Sequence, residues 1–263
     1  MSLKTAFSAF ALAALFATSP AAAQSDSDSD RNSGAIWNGP YAGLALGVSR
    51  GQADVSGQAL INGYFVAGDP EQLNPILSRD IDETSINGSL LAGLNHQFDN
   101  LVLGVEADLS LNSFDEGYSL TEIPYQTVPT DNFSTSTRIK SDWAGSLRAR
   151  LGYARDSTLL YISGGPALAR FDVDFSYSDR AFGGPKFLRA REKAVKLGWT
   201  AGLGLEQRID GDWSLKGEYL YSNFNNIFNE TSTLTSLSNG NGDFSHDIDF
   251  ETHNFRIAIV RHF

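Results

Sequence analysis

The chain has 263 residues, no cysteine and a formal net charge of −11 at pH 7. This acidic balance excludes a nucleic-acid-binding protein, because such proteins hold phosphates with clustered lysine and arginine side chains. The lack of cysteine excludes disulfides, thiolate catalysis and cysteine-ligated metal sites. The length suits one large all-β domain or two small ones.

The first 23 residues have the organisation of a secretory signal peptide. Lys4 precedes an apolar stretch from Ala6 to Ala17, and residues 21–23 supply the small side chains of a cleavage site before Gln24. The stretch is shorter than the roughly 20 residues that a membrane-spanning helix needs. Residues 24–38 include the polar tract SDSDSD and are predicted to be a disordered lead-in. The folded domain is then expected over residues 39–263.

Eight segments with the two-residue periodicity of strands follow in chain order. They are 40–48, 84–98, 101–111, 141–154, 158–175, 195–209, 213–224 and 250–263. Short turns, each with the residue types of a hairpin, lie at 99–100, 155–157 and 210–212. The remaining connections, 49–83, 112–140, 176–194 and 225–249, are much longer. This asymmetry predicts an antiparallel meander with short turns at one end and long loops at the other.

Periodicity alone fits two kinds of barrel, a soluble lipocalin-like one and a membrane one. Three features favour the membrane barrel: balanced acids and bases on the polar strand faces, glycines on one side, and aromatic residues near strand ends. Those aromatic residues are Tyr41, Phe98, Trp143, Tyr153, Trp213 and Phe263. The sequence therefore predicts an all-β fold, an eight-stranded antiparallel up-and-down transmembrane β-barrel with short periplasmic turns and long extracellular loops.

The polar strand faces are predicted to point into the lumen and to form a network of ion pairs there. Its members are Glu106, Asp108, Arg148, Arg150, Glu206, Arg208, Lys216, Glu218 and Arg256. Eight strands enclose a lumen that side chains just fill, so these charges predict a plug and disfavour an open diffusion channel. A structural role is expected for them, and no catalytic role.

The last strand is expected to close the barrel against the first, because an unpaired edge cannot face lipid. One face of this strand is apolar and ends on the final residue, a pattern typical of an assembly signal for the outer membrane. The residues of that predicted signal are Phe255, Ile257, Ile259 and Phe263. The expected partners are outer-membrane lipid, lipopolysaccharide and the barrel-assembly machinery, whereas the sequence does not predict the oligomeric state.

Several stretches resemble the Omp25/RopB-type family of porin-like, eight-stranded outer-membrane β-barrel proteins of α-proteobacteria. They are WNGPYAGLALG, WAGSLRARLGYA, LLYISGGPALA, GWTAGLGLE, WSLKGEYLY and NFRIAIVRHF, and the likeness covers nearly all of the chain beyond Ile36. The resemblance implies an outer-membrane location after export and a structural role in envelope integrity. Arg261 replaces a common aromatic residue of the family, and Pro166 predicts a bulge or local kink in the fifth strand.

The long loops are expected to carry surface contacts, and three other functions stay open. A basic third loop (Arg180, Lys186, Arg189, Arg191 and Lys193) is suited to lipopolysaccharide phosphates. Some family relatives are described as haem-binding, and that resemblance offers His246 or His253 with Tyr64, Tyr118, Tyr125 and Tyr177 as ligands.

An enzyme at the barrel rim is the other alternative, and a narrow channel is a third. Ser245-His246-Asp247 carries the right residue types for a hydrolase, but residues adjacent in sequence rarely converge on one point. The nucleophile motif G-x-S-x-G does not occur in the sequence. The sequence therefore predicts a non-enzyme, with no catalytic residue, metal site or cofactor assigned.

Overall fold

The computed structural model of the chain describes residues 35–180, 186–234 and 241–263. The predicted signal peptide and most of the predicted lead-in lie outside these ranges. The elements are β1 (Gly39–Leu60), α1 (Asp69–Leu77), β2 (Arg79–Phe98), β3 (Leu101–Pro124), β4 (Asn132–Arg155), β5 (Thr158–Asp179), β6 (Lys186–Asp210), β7 (Trp213–Leu234) and β8 (Gly242–His262). Within these ranges, no helix has the length and apolar character needed to cross a membrane.

The eight strands form a closed antiparallel barrel in which every strand pairs with its chain neighbours. β8 pairs with β1 from Tyr41 to Leu60, so the predicted closure of the last strand against the first is confirmed. The short turns at one end are confirmed as well. Asp99, Asp156 and Gly211 take positive φ angles of 51°, 52° and 48° there, as tight hairpin turns require.

The outward face near these turns is apolar and exposed. Leu46, Ile86 and Leu197 are 72%, 74% and 69% exposed, while charged side chains of the same part of the barrel, such as Glu106 and Arg148, are 1% and 0% exposed and point inward. An apolar exterior around a polar interior is the reverse of a soluble barrel, so the lipocalin-like alternative is wrong. We call the portion of the barrel with this apolar exterior the membrane half.

The strands continue far beyond the membrane half. They are 20 to 25 residues long, whereas about 9–11 residues suffice to cross a bilayer. About half of the expected loop 49–83 and most of the expected loop 112–140 are therefore strand, and the residues that join the strands there shrink to 61–78 and 125–131. The strands β5 to β8 likewise extend into the expected loops 176–194 and 225–249. The sequence understated these extensions because their inward residues include many alanines and single aromatics rather than a continuous aliphatic alternation.

The interior of this outer half is an apolar core. The ring centroids of Phe171 lie 5.5 Å from Phe224 and 5.0 Å from Phe250, and Phe114 also packs on Phe250 at 5.0 Å. Helix α1 covers the outer end of this core with two fully buried residues, Leu73 and Leu77. The loop between β1 and β2 thus closes the barrel rather than standing free in solvent.

The register shows no bulge at Pro166, which pairs with Trp199 of β6, and the shift between β4 and β5 lies between Ser141 and Ala144. The predicted local irregularity appears on the β4 side, where Ala167 pairs with Ser146 and Gly164 with Ala149 but the residues between them are unpaired. The residue before the proline, Gly165, approaches β4 closely. An added Cβ there would lie 2.1 Å from the carbonyl oxygen of Leu147, so a glycine beside Pro166 lets the two strands stay together.

Candidate functional site

The charged residues of the membrane half meet in the lumen because they occupy facing positions on neighbouring strands. Glu106 pairs with Arg148 across β3 and β4, and Glu218 pairs with Arg256 across β7 and β8. One guanidinium nitrogen of Arg148 lies 2.5 Å from Glu106, and the other lies 2.9 Å from Glu218. Arg256 in turn approaches Glu218 to 2.6 Å. These four side chains connect opposite walls of the barrel.

Lys216 lies at the centre of this arrangement. Its Nζ donates to both carboxylate oxygens of Glu106 at 2.7 and 2.6 Å and lies 3.6 Å from Glu218. Its side chain is only 1% exposed. A buried ammonium is tolerated only when carboxylates compensate it, so the position of Lys216 depends on both acids.

The network continues toward the short turns through aromatic residues. Arg150 forms an ion pair of 2.5 Å with Glu206, and its guanidinium lies 3.7 Å from the ring centroid of Tyr161. The hydroxyl of Tyr41 donates to Glu106 at 2.8 Å. His262 and Glu206 complete this end, with Nε2 and Oε1 2.9 Å apart.

Asp108 marks the other edge of the network. It lies 3.2 Å from Arg148 and 3.3 Å from Arg256, and the Ser146 hydroxyl donates to it. A cavity of about 50 Å³ lies between this residue and the aromatic core, lined mainly by serine, threonine and asparagine side chains. A polar cavity of this size has room for a few water molecules.

The structure places Arg208 apart from the other eight predicted network members. Its guanidinium lies over the Trp37 ring, 5.1 Å from the centroid, and donates to the carbonyls of Ile36 and Gly211. The reason is position: Arg208 lies next to the turn at 210–212, at the rim of the barrel. Together with Trp37, which is fully buried, it covers the periplasmic mouth.

Sequence reasoning missed the inward role of two tyrosines. Tyr41 was predicted to lie among the aromatic residues at the membrane interface, but it is 2% exposed and points into the lumen, as does Tyr161. Opposing glycines make room for both rings. A Cβ at Gly93 would lie 2.3 Å from the Tyr41 hydroxyl oxygen, and one at Gly204 would lie 2.2 Å from that of Tyr161. A glycine on the polar face of a neighbouring strand was the feature of the sequence that could have indicated an inward tyrosine.

A cluster of tyrosines lies near the outer end of the barrel. The Tyr64 hydroxyl donates to Asp179 at 2.5 Å, the Tyr125 hydroxyl donates to the same carboxylate at 3.0 Å, and Tyr177 shares a hydrogen bond with Tyr125. Burial raises the pKa of all three phenols above the ordinary value, so they stay neutral donors. Tyr118 instead donates to the carbonyl of Leu77 at 3.2 Å.

The two histidines considered for haem do not converge. His246 points inward and is 2% exposed, whereas His253 points outward and forms a hydrogen bond of 2.6 Å with Tyr219. The alternation of β8 also places Ser245 and Asp247 on the outward face, away from the His246 ring. In the described ranges, no three histidine or carboxylate residues are positioned to hold a metal ion.

His246 lies among aromatic rings. The Phe175 ring centroid is 4.0 Å away, and neither ring nitrogen of His246 has a hydrogen-bond partner among the described residues. Burial therefore lowers the pKa of His246 from 6.5 to about 4. The unfolded chain binds a proton on this residue at a higher pH than the folded chain does.

Acidification is expected to destabilise the outer half through His246. As the pH falls from about 6.5 to 4, the stability of this half should decrease by roughly 3 kcal/mol, because His246 binds a proton more readily when the outer strands are unfolded. Limited proteolysis of the outer strands between pH 7 and 4 measures this. His246→Phe should remove most of the pH dependence, and the exposed control His253→Phe should not. Equal pH dependence in both variants would contradict this account.

The apolar face of β8 lies on the outside of the barrel. Phe255, Ile257 and Ile259 are 59%, 53% and 56% exposed, and the terminal Phe263 is 68% exposed. The amide of Phe263 donates to the Pro40 carbonyl at 2.9 Å, so the last residue is held against the start of β1. Arg261 lies over the rings of Trp213 and Phe263, at 5.8 and 5.3 Å from their centroids.

Comparison with known proteins extends over most of the chain. The family model described as an outer membrane protein β-barrel domain matches residues 8–263. The 31 kDa outer-membrane immunogenic protein of Brucella melitensis is 31% identical over 188 residues, which are 71% of this chain and 70% of the relative. The 25 kDa outer-membrane immunogenic protein of Brucella abortus is 26% identical over 190 residues, covering 72% and 67%. The 22 kDa outer membrane protein of Rhizobium leguminosarum is 26% identical over 162 residues, covering 62% and 64%.

Proposed function

The chain belongs to the outer-membrane β-barrel protein family, and on that premise we propose that it is a closed structural barrel that supports envelope integrity. The observation that carries this proposal is that side chains obstruct the interior at the periplasmic mouth and in both halves of the barrel, with a cavity of about 50 Å³ between the two halves. Trp37 covers the periplasmic mouth, ion pairs cross the membrane half, and an aromatic core fills the outer half. A barrel filled in this way offers no path for solutes.

The ion pairs support a mechanical role for the membrane half. Arg148 and Arg256 connect β4 and β8 to Glu218 of β7, so the ion pairs resist changes in the cross-section of the barrel. The aromatic core does the same in the outer half. The catalytic alternative has less support, because arginine and lysine side chains engage the interior carboxylates of the membrane half and His246 packs against phenylalanine rings.

We extend the proposal to assembly. The outward face formed by Phe255, Ile257, Ile259 and Phe263 is the predicted signal for the barrel-assembly machinery, and these side chains remain accessible on the terminal strand. Outer-membrane lipid contacts the apolar exterior of the membrane half. Both partners follow from the chemistry of the exposed side chains in an outer-membrane protein.

Deletion of the gene tests the structural role. We expect the deletion to increase release of periplasmic enzymes and sensitivity to detergents, because the outer membrane loses a rigid component. Re-expression of the wild-type chain should restore resistance. A chain that lacks Phe263 is the control, since it should be exported but assembled poorly and should restore little. Slower uptake of small solutes with unchanged detergent resistance would instead favour a channel and contradict the proposal.

A further inference from the structure

Six basic residues lie on the outward face of β4, β5 and β6, beyond the membrane half. We call them the basic face, and they are Arg138, Lys140, Arg170, Arg189, Arg191 and Lys193. The basic face begins directly where the apolar exterior ends. Arg170 pairs in register with Val195, and Val195 and Leu168 are exposed apolar residues of the membrane half. Arg170 therefore lies at the height of the lipid headgroups in the outer leaflet, and the other five cations extend outward from it along the strands.

Carboxylates of the same strands hold the basic side chains in place. Asp172 accepts hydrogen bonds from Arg191 at 3.0 and 2.8 Å and lies 2.7 Å from Lys193. Asp174 binds Arg189 through two hydrogen bonds. The hydrogen bonds from Arg191 are the main cause that lowers the pKa of Asp172 to about 2. The carboxylates thus stay ionised and keep the cations ordered.

The cations keep the capacity to bind a further anion. The Arg189, Arg191 and Lys193 side chains are 54%, 46% and 48% exposed. A guanidinium has five N–H donors, and Arg189 uses two of them on Asp174. In addition, the six bases exceed the four outward carboxylates that accompany them, which are Asp115, Asp142, Asp172 and Asp174.

The opposite side of the barrel carries an excess of acidic side chains, although Arg50 and Arg79 also lie there. Asp54 of β1 pairs in register with Asp80 of β2 and with Asp249 of β8. A hydrogen bond with Asp80 raises the pKa of Asp54, as expected for carboxylates forced together. In a ring of eight strands, β1 and β5 are diametrically opposed. Like charges that face each other on neighbouring strands, as these aspartates do, lower the stability of a sheet. The packing of the fold therefore does not explain why acidic and basic side chains are gathered on different sides of the barrel.

We propose that the basic face binds the phosphate groups of lipopolysaccharide in the outer leaflet, a proposal that rests on the structural role proposed above. Arginine side chains bind phosphates through paired hydrogen bonds, and each basic residue near an anionic lipid surface adds to the attraction. The acidic side repels the same phosphates. Lipopolysaccharide is therefore held on one side of the barrel, which connects the barrel to the lipid layer that it stabilises.

The purified, folded barrel in neutral detergent micelles provides the test. The variant Arg189→Gln/Arg191→Gln/Lys193→Gln should bind purified lipopolysaccharide at least about tenfold more weakly than the wild-type chain. The matched control Arg50→Gln/Arg79→Gln/Arg155→Gln removes the same number of charges elsewhere on the exterior and should retain most of the affinity. Dephosphorylated lipopolysaccharide should bind the wild-type chain as weakly as intact lipopolysaccharide binds the first variant.

Three results would overturn the proposal. The first is that the two variants bind lipopolysaccharide with equal affinity, and the second is that the wild-type chain binds dephosphorylated lipopolysaccharide as tightly as the intact form. The third is that, without lipopolysaccharide, the protein–micelle complex of the first variant differs in mass from that of the wild-type chain. The last would show that the acidic side of a second copy occupies the basic face. The failure of this proposal would leave the barrel non-conducting and the deletion phenotype intact. The failure of the structural role would appear as ion conduction or a missing phenotype while lipopolysaccharide binding persists.

Discussion

Lys216→Met is expected to lower the free energy of unfolding by about 3–5 kcal/mol, the usual cost of breaking a buried charge pair from one side. The substitution keeps the volume of the side chain but leaves Glu106 without the ammonium that contacts both its oxygens. Glu106 also lies near Glu218, which Lys216 approaches to 3.6 Å. The remaining carboxylates then repel each other in a site without bulk water.

Unfolding by urea in detergent micelles, followed by tryptophan fluorescence, measures this loss. The double variant Lys216→Met/Glu106→Gln should recover part of the stability, because it removes one charge of each sign. The control Arg155→Met, at an exposed position, should stay within about 0.5 kcal/mol of the wild type. A single variant as stable as this control would show that the network does not support the barrel.

Phe171→Ala is expected to destabilise the outer half by about 3–5 kcal/mol, because it removes a large ring from a closely packed core. Phe171 is 1% exposed and contacts both Phe224 and Phe250. The void that the substitution leaves lies in the outer half, beyond the ion-pair network, so the membrane half should keep its structure. The expected result is therefore local opening of the outer strands rather than loss of the barrel.

Hydrogen exchange of the outer strands measures this opening. Phe187→Ala is the matched control, because Phe187 lies on the neighbouring strand β6, points outward and is 69% exposed. Its removal should leave exchange unchanged within error. Opening of the membrane half in Phe171→Ala would contradict the separation of the interior into an ionic and an aromatic part.

Much of the membrane half could be predicted from the sequence, because lipid imposes strict alternation. Leu101, Leu103 and Val105 face outward and Glu106 faces inward, as the periodicity indicates. The turns at 99–100, 155–157 and 210–212 follow from residue types that accept positive φ. The identity of the lumen charges also follows from alternation alone. Their partners do not, because ion pairs such as Arg148 with Glu218 join strands that are far apart in the ring.

The outer half was harder to predict for a physical reason. Its strands are surrounded by water, so the outward residues need not be apolar, and the inward residues range from Ala53 to Phe171. A strand in which inward residues of varied size alternate with polar outward residues resembles a loop in its composition. The inward turn of Tyr41 was missed for a related reason. A tyrosine near a strand end suits the membrane interface as well as the lumen, and only the space at Gly93 decides between them.

Electrical recording across a planar lipid bilayer tests most directly whether the barrel is closed. The purified, folded wild-type chain should insert without producing reproducible current steps, because Trp37, the ion-pair network and the aromatic core obstruct the interior in series. Heat-dependent mobility on a denaturing gel, together with a known channel added to the same bilayer, establishes that the protein is folded and the membrane responsive. Regular current steps of constant size from the wild-type chain would show an open pore and contradict the closed structural barrel.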